Sequence, residues 1–186
     1  MEEAATEQVA ALFARHGDAV YAYAQARVGS NLAADIVSDT FVVAWRRREV
    51  LPDPALPWLL ATARRVVSTH IRSQRRQQSL VLRMESLSER QSQLAPEAGL
   101  DHELLHALDR LTERDRETLL LVAWFDLTHA EAAKVQGCSP GTFAVRLHRA
   151  RRRVRELLDD RGERGRLAVV RPDQQETDSA TGKDVS

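Results

Sequence analysis

The chain has 186 residues, 43% of them hydrophobic and 29% charged, and its 27 Lys and Arg residues balance 27 Asp and Glu residues. This composition predicts one domain or two small ones and excludes a wholly disordered chain. The longest apolar run, 119–125, is far shorter than the ~20 residues that cross a bilayer. The N-terminus lacks the basic and then apolar order of a secretory signal, and the single cysteine, Cys138, excludes an internal disulfide. We therefore expect a cytoplasmic protein without membrane insertion.

Helical periodicity dominates the first 78 residues. Apolar residues recur at spacings of three and four as far as Gly29, which predicts a first helix, and Asn31 is placed to cap a second. A third helix is expected to begin near Pro57, after a loop interrupted by prolines. The second helix has an apolar face made of Leu32, Ile36, Val37, Phe41 and Trp45, and we interpret Trp45 as a core residue.

Residues 79–100 are rich in Ser, Gln and Glu and predict a linker. Helical spacing resumes over 101–160, where Thr112 and Thr128 each precede an acidic residue by three positions, as helix-capping residues do. Residues 161–186 offer little to bury and predict a disordered tail. Since no alternating strand pattern competes, the predicted fold is all-α, with two small helical domains, 1–78 and 101–160, joined by the linker.

The most specific local pattern is a helix-turn-helix after Thr128. A short capped helix is followed by Gly137, which suits a left-handed turn, and then by Ser139 and Pro140, which suit the start of a second helix. An apolar stripe on that helix leaves Thr142, Arg146, Arg149 and Arg153 on other faces, where such side chains meet base edges and phosphates. The alternative is an ordinary helical hairpin whose long helix has an arginine-rich, solvated face.

Charge is distributed unevenly along this neutral chain. Positive charge is almost entirely arginine and clusters in two stretches, 64–90 and 146–155, whereas the first sixty residues lean acidic. Arginine's planar fork matches phosphate geometry, so both stretches are candidates for binding nucleic acid. Asp35 and Asp39 stand four residues apart and therefore share one helix face, away from the apolar stripe.

These motifs resemble those of bacterial RNA polymerase sigma factors. The first domain resembles sigma region 2 through residues 34–41 (ADIVSDTF), 45–46 (WR), 57–59 (PWL) and 63–64 (AR). The second resembles region 4 through residues 107–111 (ALDRL), 114–117 (RDRE) and 141–151 (GTFAVRLHRAR). Because only these two regions are present over roughly residues 8–160, the chain is similar to the extracytoplasmic-function (ECF) group.

The resemblance implies a promoter-specificity subunit that binds core RNA polymerase and promoter DNA and assists promoter opening. It implies an anti-sigma factor as a further partner, with no cofactor, no metal and no catalytic residue. By resemblance, core polymerase would be bound by Asp35, Asp39 and Thr40. The −10 element would be bound by Arg46, Arg47, Arg64, Arg65, Arg72, Arg75 and Arg76, with a flipped base held by the loop 46–57. The −35 element would be bound by Thr128, Ser139, Thr142, Arg146, Arg149 and Arg153.

Two other classes of function remain open from the residues alone. A stand-alone helix-turn-helix regulator would use its first domain for sensing or dimerisation, but the Asp35 and Asp39 face and the first arginine stretch argue against it. An all-α enzyme could use one of six histidines as a base, or His102 and His106 as metal ligands. No third ligand lies nearby, so an enzyme is disfavoured.

Overall fold

The structure, a computed structural model, describes residues 2–81 and 102–169. Within these ranges the chain is helical and contains no strand, which confirms the all-α prediction. The first lobe consists of α1 (Glu2–Val28), α2 (Ser30–Arg46), a 3-10 helix (Arg48–Val50) and α3 (Leu56–Val81). The second lobe consists of α4 (His102–Asp109), α5 (Glu113–Ala123), α6 (His129–Gln136) and α7 (Pro140–Val169).

Helices α1 and α2 are separated by a single glycine. Gly29 has a φ of +79°, a backbone conformation that side chains disfavour, and this residue lets α2 begin at Ser30. The prediction that Asn31 caps α2 is therefore wrong: Gly29 occupies the N-cap position, and no side chain caps the helix. The apolar face of α2 is buried as predicted at Ile36, Val37 and Phe41.

Trp45 departs from its predicted core position. Its side chain is only half-buried, and the guanidinium carbon of Arg48 lies 5.1 Å from the ring centroid. A cation above an indole face is attracted by the ring quadrupole, and the half-buried Arg48 covers part of the ring in this way. Trp45 therefore belongs to the edge of the first lobe.

The second lobe contains the predicted helix-turn-helix in α6 and α7. At the start of α6, the Glu131 amide donates to Thr128 Oγ1 at 3.3 Å, and the Thr128 amide donates to Glu131 Oε2 at 2.9 Å. Gly137 ends α6 with a φ of +65°. Ser139 Oγ then accepts the Thr142 amide at 3.2 Å, at the start of α7. These local bonds fix the turn between the two helices.

The capping box predicts a measurable pH dependence of stability. The pKa of Glu131 is lowered by its side-chain hydrogen bond with Thr128 and by the Thr128 amide. A lowered carboxyl pKa adds stability that is present above the ordinary value of 4.5 and is lost as the pH falls through the folded value. We expect Glu131→Gln to lower the free energy of unfolding by about 0.3–1 kcal/mol at pH 7, with the difference shrinking below pH 4.5. Urea titrations at several pH values measure this, with Glu156→Gln as an exposed control; a constant difference would contradict it.

Helix α7 runs further than the predicted end at residue 160. It continues to Val169, so the first nine residues of the predicted tail are helical, and residues 170–186 lie outside the described part of the chain. Extending an existing helix by a residue costs much less free energy than nucleating a new helix. Helix α7 therefore continues past residue 160 although few apolar residues follow. Helix α3 likewise passes the predicted boundary at 78 and ends at Val81, and residues 82–100 of the predicted linker lie outside the described part.

The two lobes pack against each other. Helix α6 lies against α3, and the rings of Tyr23 and Phe125 are 6.2 Å apart across the contact. Buried residues of both lobes form one continuous apolar cluster that includes Val20, Leu59, Leu121 and Phe143. Within 2–81 and 102–169, no helix combines the length and hydrophobicity that crossing a bilayer requires.

Candidate nucleic-acid interface

The start of α7 presents several predicted DNA-binding residues to solvent. Ser139, Thr142 and Arg149 are exposed, and the exposed Thr128 stands at the start of α6. Arg146 is half-buried, and its Nη1 donates to Gln136 Oε1 at 3.2 Å, which holds this guanidinium across the turn between the helices. The N-terminal part of the second helix is the part that meets base edges in a helix-turn-helix.

A basic cavity of about 320 Å³ continues this surface between α5 and α7. Arg153 Nη1 lies 2.7 Å from Asp115 Oδ2, so one predicted DNA contact is paired within the lobe. The other arginines keep a net positive charge there, which suits a phosphate. The cavity is lined by Arg114, Asp115, Arg146, Arg149, Arg152, Arg153 and Glu156.

The arginines predicted to bind the −10 element do not share one environment. Arg46, Arg47, Arg65, Arg72 and Arg76 are exposed, whereas the side chain of Arg75 lies outside the described residues. Arg64, in contrast, is half-buried, and its Nε donates to Glu117 Oε1 of the second lobe at 3.0 Å. The exposed arginines place positive charge on α3 and at the end of α2, whereas Arg64 is paired with Glu117 of the second lobe.

The acidic face of α2 carries two of the three residues predicted to bind polymerase. Asp35 and Asp39 are exposed, and Asp39 Oδ2 lies 2.9 Å from His70 Nε2 on α3. Thr40 is fully buried, and its hydroxyl donates to the Ile36 carbonyl oxygen at 2.6 Å. Thr40 shares the buried face because it lies four residues after Ile36, so the accessible polar surface here consists of the carboxylates.

The interlobe cluster, which we define as Tyr23, Arg27, Arg64 and Glu117, is the group that sequence reasoning missed. Glu117 on α5 is only 2% exposed, and its Oε1 lies 3.1 Å from Arg27 Nη1 and 2.5 Å from the Tyr23 hydroxyl oxygen. Burial, and then the charge of Glu117, raises the pKa of Tyr23 well above its ordinary value. The spacing of Glu117 four residues before Leu121 was the available signal for its burial.

A metal site was the alternative considered for the histidines, and it would need a cluster of ligand side chains. No group of three or more His, Cys, Asp or Glu side chains within that part is placed to hold a metal ion. The side chain of His102 lies outside it, while His106 is exposed on α4. Cys138 is a half-buried free thiol in the turn of the helix-turn-helix.

Each of the two lobes matches a known protein family. Residues 12–77 match the Sigma-70 region 2 family, and residues 101–154 match the Sigma-70 region 4 family. The chain is 30% identical over 155 residues to the RNA polymerase sigma factor CarQ of Myxococcus xanthus, covering 80% of this chain and 88% of CarQ. It is 31% identical over 158 residues to the ECF RNA polymerase sigma factor BldN of Streptomyces coelicolor, covering 80% of this chain. The chain belongs to the ECF sigma factor family.

In this ECF sigma factor, region 2 lies in the first lobe and region 4 in the second. The chain spans 60% of the length of BldN. Among solved structures, the chain is similar to the sigma factor RpoE from Bartonella quintana, which was crystallised in complex with the anti-sigma factor NepR. That match has a TM-score of 0.63 and 27% identity, and it covers 79% of this chain and 94% of RpoE, so it includes parts of both lobes.

Proposed function

We propose that the protein is an ECF-type sigma factor, a promoter-specificity subunit of RNA polymerase that recognises −10 and −35 elements and assists promoter opening. The observation that carries this proposal is that one chain contains an arginine-bearing first lobe that matches region 2, followed by a second lobe with a capped helix-turn-helix that matches region 4. A stand-alone regulator needs only the helix-turn-helix. It is therefore not favoured.

Each surface then has a role in transcription initiation. The exposed carboxylates Asp35 and Asp39 bind basic groups of core polymerase, since opposite charges orient and select partners. The exposed arginines of α3 bind the melted strand near the −10 element, as basic grooves do for single strands. Residues at the start of α7 read the −35 element in the major groove.

The role we propose is one of binding and positioning, without catalysis. Glu131 caps a helix, Glu117 is held in ion pairs, and the exposed arginines are available to a polyanion. Because its polymerase and DNA partners reside in the cytoplasm, we place the protein there. The structural neighbour RpoE was solved with an anti-sigma factor, and this supports an anti-sigma factor as a further partner.

Association with core polymerase is the first test of this proposal, and it needs no knowledge of the promoter. Purified full-length chain is mixed with sigma-free core RNA polymerase and followed by size-exclusion chromatography. We expect stoichiometric co-elution, and addition of an established sigma factor in excess should displace the chain. Failure of the folded chain to co-elute would contradict the proposal and favour a stand-alone regulator.

The exposed arginine of α7 gives a prediction on promoter reading. We expect Arg149→Gln to weaken holoenzyme binding to −35 duplex DNA by about 1–3 kcal/mol and to relax the preference at one base pair. Competition with DNA pools randomised in the −35 region measures both effects. Arg155→Gln, an exposed residue on the same helix, is the matched control. Equal losses on every sequence for both variants would show that Arg149 contacts phosphate only.

A further inference from the structure

One apolar side chain stands in the open on the helix that we assign to the −35 element. Val145, in the second turn of α7, is 51% exposed, whereas Phe143, Leu147 and Ala150 of the same helix are buried. An α-helix turns by about 100° per residue, so Val145 points roughly 170° away from the middle of that buried stripe. It therefore lies on the outermost line of α7, on the face that a helix-turn-helix places in the major groove.

The surroundings of Val145 suit nucleic acid better than an apolar protein surface. Arg149 and Arg152 follow it by one and two turns on the same face, and both are exposed. They line the basic cavity, where five arginines and two acidic residues leave a net positive charge. Among the positions of α7 whose burial the structure describes, 140–159, Val145 is the one exposed large hydrophobic residue. An apolar docking patch for a protein would cover several such residues.

Gly141 lies one turn before Val145 on the same face. A glycine weakens a helix relative to alanine, and the φ of Gly141 lies outside the left-handed region that favours glycine. A Cβ placed on Gly141 would meet nothing within 4 Å in the described ranges 2–81 and 102–169. Packing within this part of the chain therefore does not require the missing side chain, whereas a molecule that approaches α7 from outside gains space there.

The floor of the major groove offers an aliphatic side chain one kind of favourable partner. Most groups on the base edges are hydrogen-bond donors and acceptors, which a valine side chain cannot pair with. The exception is the 5-methyl group of thymine, which gains free energy when an apolar side chain excludes water from it. A base pair without this methyl group gives Val145 no equivalent contact.

We propose that Val145, with the space beside Gly141, contacts the 5-methyl group of a thymine in the −35 element and thereby selects thymine at that position. The inference rests on the proposed function, because it takes the start of α7 to lie in the major groove. It adds an apolar contact to the polar residues Thr142 and Arg149, which are exposed on the same part of the helix.

The test removes a single methyl group from the DNA. Holoenzyme assembled from the full chain and core polymerase selects duplexes from a pool randomised in the −35 region. Each thymine of the selected element is then replaced singly by uracil, which keeps every hydrogen-bonding group and lacks only the 5-methyl group. We expect replacement at one thymine to weaken binding about three- to fivefold, the effect of losing roughly one buried methyl group.

Variants of the protein assign that loss to Val145. In Val145→Ser the thymine and uracil duplexes should bind equally, whereas Val145→Ile keeps an aliphatic side chain and should retain the preference. The matched control Ala144→Ser makes an apolar-to-polar change at the neighbouring exposed position, about 100° around the helix, and should also retain it. Because Val145 is exposed, Val145→Ser should remain folded, which circular dichroism checks. The thymine and uracil comparison on the natural chain needs no variant.

The possible results separate this inference from the proposed function. Equal binding of the natural chain to every thymine and uracil pair would overturn the inference, as would a methyl preference that survives Val145→Ser or a selected element that contains no thymine. Weaker association of Val145→Ser with core polymerase, at an unchanged methyl preference, would assign Val145 to a protein contact instead. If the holoenzyme selects no sequence at all, the proposed function fails and the inference with it.

Discussion

Reversing both exposed carboxylates of α2, in the double variant Asp35→Arg, Asp39→Arg, is expected to weaken binding to core RNA polymerase by at least about 30-fold. The two side chains share one exposed face, so the change replaces two attractive contacts by two repulsive ones. Like charges across an interface cost several kcal/mol, and about 1.4 kcal/mol corresponds to each tenfold change in affinity. A titration of labelled polymerase with each variant measures the change.

A matched control separates this effect from a change in net charge. Glu7→Arg, Asp18→Arg reverses two exposed carboxylates on α1, which changes the net charge by the same amount. We expect the control to bind polymerase within a few-fold of the natural protein. If the two double variants lose affinity equally, or neither loses any, the docking face proposed on α2 is wrong, although the chain could still bind polymerase elsewhere.

The second large effect is expected in the core of the helix-turn-helix. Phe143 is fully buried on the inner face of α7, and its ring centroid lies 6.0 Å from that of His129 at the start of α6. Phe143→Ala removes the largest fully buried side chain of the second lobe and leaves a cavity, which costs about 3–5 kcal/mol of unfolding free energy. Urea denaturation followed by circular dichroism measures the loss.

A neighbouring apolar residue provides the comparison for Phe143. Val145 stands on the opposite side of α7 and is 51% exposed, so Val145→Ala should change the free energy of unfolding by no more than about 0.5 kcal/mol. A loss below 1 kcal/mol for Phe143→Ala would mean that the two helices are not held by this core. Similar losses for both variants would contradict the predicted apolar stripe.

The parts of the fold that sequence predicted well are those that depend on nearby residues. The cap at Thr128, the left-handed Gly137 and the start of α7 at Pro140 each follow from residues within three or four positions. Helical spacing likewise placed Ile36 and Phe143 in the core. Such features are set by local backbone chemistry and by one face of one helix, both of which the sequence displays directly.

The predictions that differ from the structure concern residues whose cap or burial state depends on another part of the chain. Asn31 was predicted to cap α2 because asparagine is a common N-cap residue. Instead Gly29, with its positive φ, occupies the N-cap position, and α2 begins at Ser30. Trp45 has the spacing of a core residue, but the edge of the lobe leaves it half-covered by Arg48. Thr40 fits the polar motif of the family and is nevertheless buried by its spacing from Ile36.

The interlobe cluster was beyond prediction for a different reason. Glu117 is one of 27 acidic residues, and its partner Arg64 lies 53 positions away on another lobe. Neither local sequence indicates that the two lobes are in contact, because the predicted linker, residues 79–100, permits many distances between them. Pairing between distant charged residues follows from lobe packing.

The most direct test of the sigma assignment is the mapping of RNA 5′ ends made in vitro from genomic DNA of the source organism. Core polymerase alone is compared with core polymerase plus the natural chain. We predict a set of new start sites that share two sequence blocks, one near −10 and one near −35, and that disappear with Asp35→Arg, Asp39→Arg. A set of start sites identical to that of core polymerase alone, with the chain folded and bound, would contradict the assignment.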